Sequence, residues 1–230
     1  MWKNWILTTP IIKDGYAFME PLYTRISSLI PRLAIQYKAA IISLFFAIEI
    51  LFTVTIFFGL ILGTLQPSLQ PLFFTIGLQF GKITVLLLVL TLSAGILGRF
   101  RWFTTIRITL MLFRRHFGIL TYLSGVVHAT FVVLLPMLTR GFRPLLIFEV
   151  YGLTALLFML PLFLTSNDYS VRLLKTGWNK LHKLVYLALF FAALHTITRS
   201  ISVGALLMSV VILEVLSYLA KYIYDLHNSR

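Results

Sequence analysis

The sequence predicts an all-α fold, a six-helix transmembrane bundle. Three observations carry that reading. Of 230 residues, 59% are apolar and 12% are charged, whereas a soluble domain is about half apolar and a quarter charged. Six separate stretches reach the roughly 20 apolar residues that cross a hydrocarbon core of about 30 Å. The basic residues fall between these stretches, and nearly all fall on one side of them. The mean hydropathy of +0.94 agrees with a chain that is almost entirely membrane domain.

The six stretches lie near 39–63, 72–98, 117–138, 145–165, 181–198 and 201–224. Pro67 and Pro71 mark the first turn, and a short 139–144 stretch marks another. Residues 166–180, with Asn167, Asp168, Gly177 and Asn179, read as a polar loop. Residues 1–38 are too polar to span. Within them Leu22, Ile26, Leu29, Ile30 and Leu33 share one face at helical spacing, with Arg25, Ser28, Arg32 and Gln36 largely elsewhere. That pattern fits an amphipathic helix, either on the cytoplasmic membrane surface or packed against loops or a neighbouring subunit. The expected organisation is a cytoplasmic N-terminal segment at 1–38, a six-span domain at 39–224 and a cytoplasmic tail at 225–230.

Charge sets the orientation. Sixteen of the 20 lysines and arginines lie in the N-terminal segment, the 99–116 loop, the 166–183 loop and the tail. Only Arg140, Arg143 and Arg199 lie on the other side, and Lys82 falls inside a span. The bias places both termini in the cytoplasm or an equivalent organellar compartment. It also explains the net charge of +13 without nucleic acid, which is not an expected partner. No cleavable leader is expected. The absence of cysteine excludes disulfides, iron–sulfur ligation, thiol catalysis and thiolate haem ligation.

Histidine is then the leading metal ligand. His116 and His128 stand near the two ends of the third span, and His182 and His195 near the two ends of the fifth. These spans run parallel, so His116 is level with His182 and His128 with His195. Helical rise separates each pair along its own helix by roughly 18–20 Å. Two facing imidazoles saturate the axial positions of haem iron and favour electron transfer over oxygen binding. The expected arrangement therefore holds haem between helices three and five. Helical angle argues the other way, because neither spacing returns to the same helix face. A lone intramembrane histidine can instead bond a neighbouring helix, but the joint pattern of four points to function. His227 lies in the polar tail.

Four further charged residues fall within or beside the spans. Glu49 and Glu214 lie at matching depths, each about 15 Å from the cytoplasmic end by helical rise. They are either a proton- or quinol-linked carboxylate pair or, the favoured reading, separate hydrogen-bonding groups. Lys82 and Glu149 both fall near the outer surface, where an ion pair between them or snorkelling of Lys82 is expected.

These residues sit in recognisable sequence. The fifth span reads Trp178-Asn-Lys-Leu-His182-Lys-Leu-Val-Tyr186 and then Ala-Ala-Leu-His195. The third reads Arg114-Arg-His-Phe-Gly118 and then Ser-Gly-Val-Val-His128. The fourth ends Leu-Pro161-Leu-Phe-Leu-Thr165-Ser166-Asn167, and the second opens Gly81-Lys82 and runs into Leu-Leu-Leu-Val-Leu-Thr91. Over roughly 72–200 the chain resembles the ferric-reductase-like transmembrane domain family. It is most similar to that family's short bacterial branch, the haem-binding membrane subunits of periplasmic methionine sulfoxide reductase systems.

The resemblance implies a bundle that binds b-type haem non-covalently, takes electrons from a quinol or a reduced flavin on one side and delivers them across the membrane. His128, His182 and His195 match the family's histidines. His116 departs from it, since the short branch usually has an apolar residue after the paired arginines. Either His116 supplies a fourth ligand, or Arg114 or Arg115 lies against a haem propionate, which leaves one haem or two. The family's longer members carry flavin and nicotinamide domains after the sixth span. The sequence here stops at Arg230, so the donor is expected to be a separate protein.

Two functions follow as expectations. The first is a b-type haem membrane cytochrome, the electron-transfer subunit of an oxidoreductase, in a bacterial inner membrane or its organellar equivalent. Redox partner proteins on either face, quinol, a flavin on a partner and membrane lipid are its expected associates. The acceptor is a periplasmic reductase, a metal chelate or oxygen. The second is an accessory subunit of a larger respiratory or photosynthetic complex, with or without haem. An ion or proton transporter is disfavoured, because no Gly/Pro-broken helix pair appears.

Overall fold

A computed structural model describes residues 29–228. The part of the expected amphipathic segment that falls on residues 1–28 lies outside the described residues. Residues 29–36 are helical, and Leu29, Ile30 and Leu33 of the expected apolar stripe are exposed there.

Helix α1 (Lys38–Leu65) is apolar on every side and exposes Leu44, Ile50, Phe57 and Phe58. An all-round apolar helix needs an apolar solvent on its free faces. A 3₁₀ turn at Pro67–Leu69 leads into α2 (Gln70–Phe100). Pro71 occupies the first turn of α2, where its missing N–H leaves no helical bond unmade. Arg101 and Phe103, with φ of 59° and 46°, make a tight reversal into α3 (Thr104–Ala129). A π turn at Thr130–Leu134 continues α3 into α4 (Leu135–Arg140), with Pro136 in the first turn of α4.

Gly141, with φ of 101°, opens the connection to α5 (Ile147–Leu164). Two short helices follow, α6 (Asp168–Leu174) and α7 (Thr176–Leu181). The Asn167 side chain caps α6 by accepting from the Ser170 N–H at 2.8 Å. After a break at His182 and Lys183 come α8 (Leu184–Ile197) and α9 (Ile201–Asn228).

Six of these units are long and apolar enough to cross a membrane: Lys38–Leu65, Pro67–Phe100, Thr104–Arg140, Ile147–Leu164, Thr176–Ile197 and Ile201–His227. They correspond one to one with the six predicted stretches, and the protein is an integral multi-pass membrane protein. The boundaries differ in one instructive place. The third span starts at Thr104, so the expected 99–116 loop shrinks to the Arg101–Phe103 turn, and Arg107, Arg114, Arg115 and His116 all lie on helix. Hydropathy marks where hydrocarbon ends, not where the helix does, and arginine is a good helix former. The expected 166–180 loop likewise holds α6 and α7.

The packing order places the site. The second span packs against the third, the third against the fourth, the fourth against the fifth, the fifth against the sixth and the sixth against the second. These five close a ring, and the first span lies outside it against the third. Burial agrees: 50% of the most apolar window of the third span is buried, against 6% in the first. One apolar cluster, Leu88, Leu92, Ile96, Leu189, Ala193, Leu207 and Val210, joins the second, fifth and sixth spans. Another, Phe73, Val127, Phe131 and Leu135, joins the second and third and is covered by Phe52, Ile56 and Leu60 of the first. The third and fifth spans face each other across the ring without packing extensively together.

The charged residues in the spans find separate partners. The Glu49 carboxylate bonds His116, and Glu214 pairs with Arg99 of the second span. Each carboxylate thus joins two helices, as the favoured reading expects. The expected Lys82–Glu149 pair does not form. Both oxygens of the buried Glu149 accept from Arg143, at 2.5 and 2.8 Å, and Oε2 also accepts the Leu146 N–H at 2.8 Å. The 141–146 connection folds back over the start of α5, so a loop arginine six residues away reaches the carboxylate first. Lys82 is exposed.

Candidate functional site

His128 and His195 extend into the ring from opposite sides. Their ring centroids stand 6.0 Å apart at an interplanar angle of 74°. His128 Nδ1–H donates to the Gly77 carbonyl at 2.8 Å, and His195 Nδ1–H donates to the Phe148 carbonyl at 2.7 Å. Each bond fixes the tautomer and leaves the Nε2 lone pair unused, the orienting device of metal-ligating histidines.

The two seats are built alike. A Cβ at Gly81 would lie 2.9 Å from His128 Nδ1, and a Cβ at Gly152 would lie 2.9 Å from His195 Nδ1. Each imidazole therefore lies on the wall of a neighbouring helix. It is bonded to a carbonyl, and the bare backbone of the glycine four residues later makes room for it. At the second seat Phe148 also sets its ring 6.1 Å from that of His195, and Arg199 stacks over it at 4.7 Å.

The donor set decides what such a pair can hold. Among the described residues no group of three or more His, Cys, Asp or Glu side chains converges. A caged zinc ion takes about four ligands, so two neutral imidazoles suit a metal that brings its other donors with it. Two metal–nitrogen bonds of about 2 Å, with roughly 1 Å more from each nitrogen to its ring centre, total about 6 Å. That matches the observed 6.0 Å separation. The pair fits the axial ligation of a haem iron.

His116 and His182 have different surroundings, and the structure forms no ring contact between them. His116 is buried and turned toward the first span. Its Nδ1 lies 2.9 Å from Glu49 Oε1. Its ring stacks on Phe45 at 5.1 Å and meets the edge of Phe46 at 5.2 Å. Twelve residues at about 100° each rotate the helix by roughly 120° beyond whole turns, so His116 leaves the ring face that His128 occupies. His182 sits at the break before α8 with the Trp178 ring stacked on it at 3.8 Å. The Thr165 hydroxyl donates to the Pro161 carbonyl at 2.6 Å, so it accepts from His182 Nε2 at 3.2 Å. Trp178 Nε1–H donates to the Thr165 carbonyl at 3.0 Å. His182 is thus held through the nitrogen opposite to the one used at His128 and His195.

Arg114 and Arg115 also diverge. Arg115 pairs with Asp168 of α6, and its guanidinium holds the Asp168 carboxyl below the usual range. Arg114 lines a groove with Arg99, Arg101 and Arg107. In the sequence Gly77, Phe148 and Gly152 do not stand out as seats, and Gly81 stands out only as part of the Gly81-Lys82 motif. The available signal was a glycine four residues after each accepting carbonyl, on the helices beside the two histidines.

No family model matches the chain, and no solved structure matches it. Among curated proteins it is similar to the protein-methionine-sulfoxide reductase heme-binding subunit MsrQ of Brucella anthropi. The two are 33% identical over 131 residues, 54% of this chain and 54% of that protein. It is 38% identical over 96 residues to the proteins of the same name from Brucella ovis and Brucella canis, 38% of this chain and 42% of each. The chain spans about half the length of the relatives it matches.

Proposed function

From a chain related in part of its length to the haem-binding MsrQ subunits, we propose a b-type haem membrane cytochrome that passes electrons across the membrane. The observation that carries this reading is the His128–His195 pair, 6.0 Å apart with both Nδ1 atoms engaged. His128 and His195 would hold the haem iron through their Nε2 atoms, and a haem bound there would supply one-electron redox chemistry.

The chain's own residues set the conditions for that chemistry. The Gly77 and Phe148 carbonyls orient the imidazoles and raise their basicity as ligands. Both imidazoles are partly buried within the ring of five spans. The positive-inside bias puts the His116 and His182 ends toward the cytoplasm and the His128–His195 pair toward the outer face. Electrons then enter from quinol or a flavin donor protein inside, and a separate acceptor protein outside, in a methionine sulfoxide reductase system, receives them.

The test is haem content and spectrum. Purified protein is expected to give a b-type reduced-minus-oxidised spectrum and at least one haem per chain by pyridine haemochrome. His128→Ala and His195→Ala are each expected to lose the haem held by this pair. Haem-free protein from cells supplied with haem precursor would reject the proposal, as would full haem content in either variant.

A further inference from the structure

The groove lined by Arg114, about 470 Å³ in volume, lies between the second, third and sixth spans at the end opposite His128 and His195. Arg99, Arg101, Arg107, Arg114 and Lys221 line it, with Asp225 the one acidic lining residue. Arg99 is already engaged, paired with Glu214 and donating to Ser217 at 2.7 Å. Arg101 stacks over Tyr224 at 3.8 Å. Arg107 and Lys221 have no carboxylate partner among the described residues, and Arg114 lies near Glu214 without pairing with it. The lining keeps an excess of positive charge that suits an anion.

Its floor is shaped for guanidinium groups. A Cβ at Gly95 would lie 3.2 Å from Arg99 Nη1, and a Cβ at Gly98 would lie 3.3 Å from Arg107 Nε. The two glycines let both side chains lie down on α2. The surroundings fix the depth. Trp102 and Phe103 in the adjacent turn are 54% and 58% exposed, as aromatic residues at the headgroup level are. Met111 lies on the groove wall between Arg107 and Arg114, and Ile108 of the same helix is exposed.

We propose that this groove binds one anionic phospholipid, with its phosphate among Arg107, Arg114 and Lys221 and an acyl chain along Met111 and Ile108. A basic pocket between spans at a membrane surface recognises anionic headgroups by charge. Its position beside the exposed Trp102, Phe103 and Ile108 favours a lipid over a soluble phosphate compound. The inference does not depend on haem binding.

The test compares headgroups on the purified protein by native mass spectrometry in detergent. Phosphatidylglycerol is expected to remain bound where phosphatidylcholine is stripped. The variant Arg107→Gln with Lys221→Gln is expected to bind phosphatidylglycerol roughly ten- to thirty-fold more weakly, with helical circular dichroism unchanged. Equal retention of the two lipids would overturn the proposal, as would undiminished binding in the variant. Displacement of the lipid by inorganic phosphate alone would mark a soluble-phosphate site and overturn it too. If the variant fails to fold, the headgroup comparison on the parent protein decides.

Discussion

A Cβ at Gly152 would stand 2.9 Å from Nδ1 of His195, closer than any side-chain carbon is tolerated. The imidazole cannot retreat without breaking its 2.7 Å bond to the Phe148 carbonyl. Gly152→Ala is therefore expected to tilt or release His195. Loss of an orienting contact of this kind costs a metal site about 10- to 100-fold in affinity. Haem retained after gel filtration should fall accordingly. The same change at Gly81 should act through His128, and Gly177→Ala, with open space around its Cβ, should leave haem content untouched.

His116 and Glu49 give the contrasting case. Their bond ties the peripheral first span to the ring, and neither group belongs to the His128–His195 pair. His116→Ala leaves a largely buried carboxylate without its partner, a loss of about 1–3 kcal/mol. The expected result is a lower thermal midpoint in detergent with the haem content proposed for the His128–His195 pair unchanged. Loss of that haem in His116→Ala would show that the two ends of the third span are not independent.

Arg99 and Glu214 form an enclosed ion pair, supported by Ser217 and by Tyr218, whose ring lies 4.1 Å from the guanidinium carbon. Removing one member strands a charge between helices, at about 3–5 kcal/mol. Glu214→Leu alone should be strongly destabilising, while Arg99→Met with Glu214→Leu should recover most of the loss. A double-mutant cycle on thermal unfolding measures the coupling. Additive losses would mean that the pair contributes nothing as a pair.

Asp168 and Arg115 predict a weak pH effect. The arginine lowers the folded carboxyl from its ordinary value of 3.8. The contribution is therefore present above that value and fades as pH falls through the lower folded one. Both groups are solvent-accessible, so salt should screen it. Asp168→Asn is expected to flatten the acid limb of a stability profile at low salt and to change little at high salt.

What could be read in advance follows from which physical signals are written in side chains. The six spans were legible because length and apolarity are one-dimensional properties, whereas the start of the third was not. Arg107, Arg114 and Arg115 look like loop residues by polarity, yet a helix runs on into the headgroup layer. His128 and His195 stood out because imidazoles deep in apolar sequence are costly. Their seats were invisible, since the accepting groups are the carbonyls of Gly77 and Phe148, and every residue has a carbonyl. Of the two alternatives for Lys82, the pair with Glu149 does not form, because the fold of the 141–146 connection, not depth in the membrane, brings Arg143 onto the carboxylate. His116 carried a warning in the helical angle, and its bond to Glu49 lies on the face that the angle indicates.

The π turn at Thr130–Leu134 has a consequence for chain length. It begins two residues after His128 and holds one residue more than an α-helix needs to climb the same height. Deleting one residue there would restore ordinary helical winding and leave His128 on its bearing, with the change absorbed between Leu135 and the Gly141 turn. Related chains that differ by a single residue in this part of the third span can therefore keep the same ligand geometry. An alignment that forces a gap there elsewhere would misplace every outward-facing position beyond it.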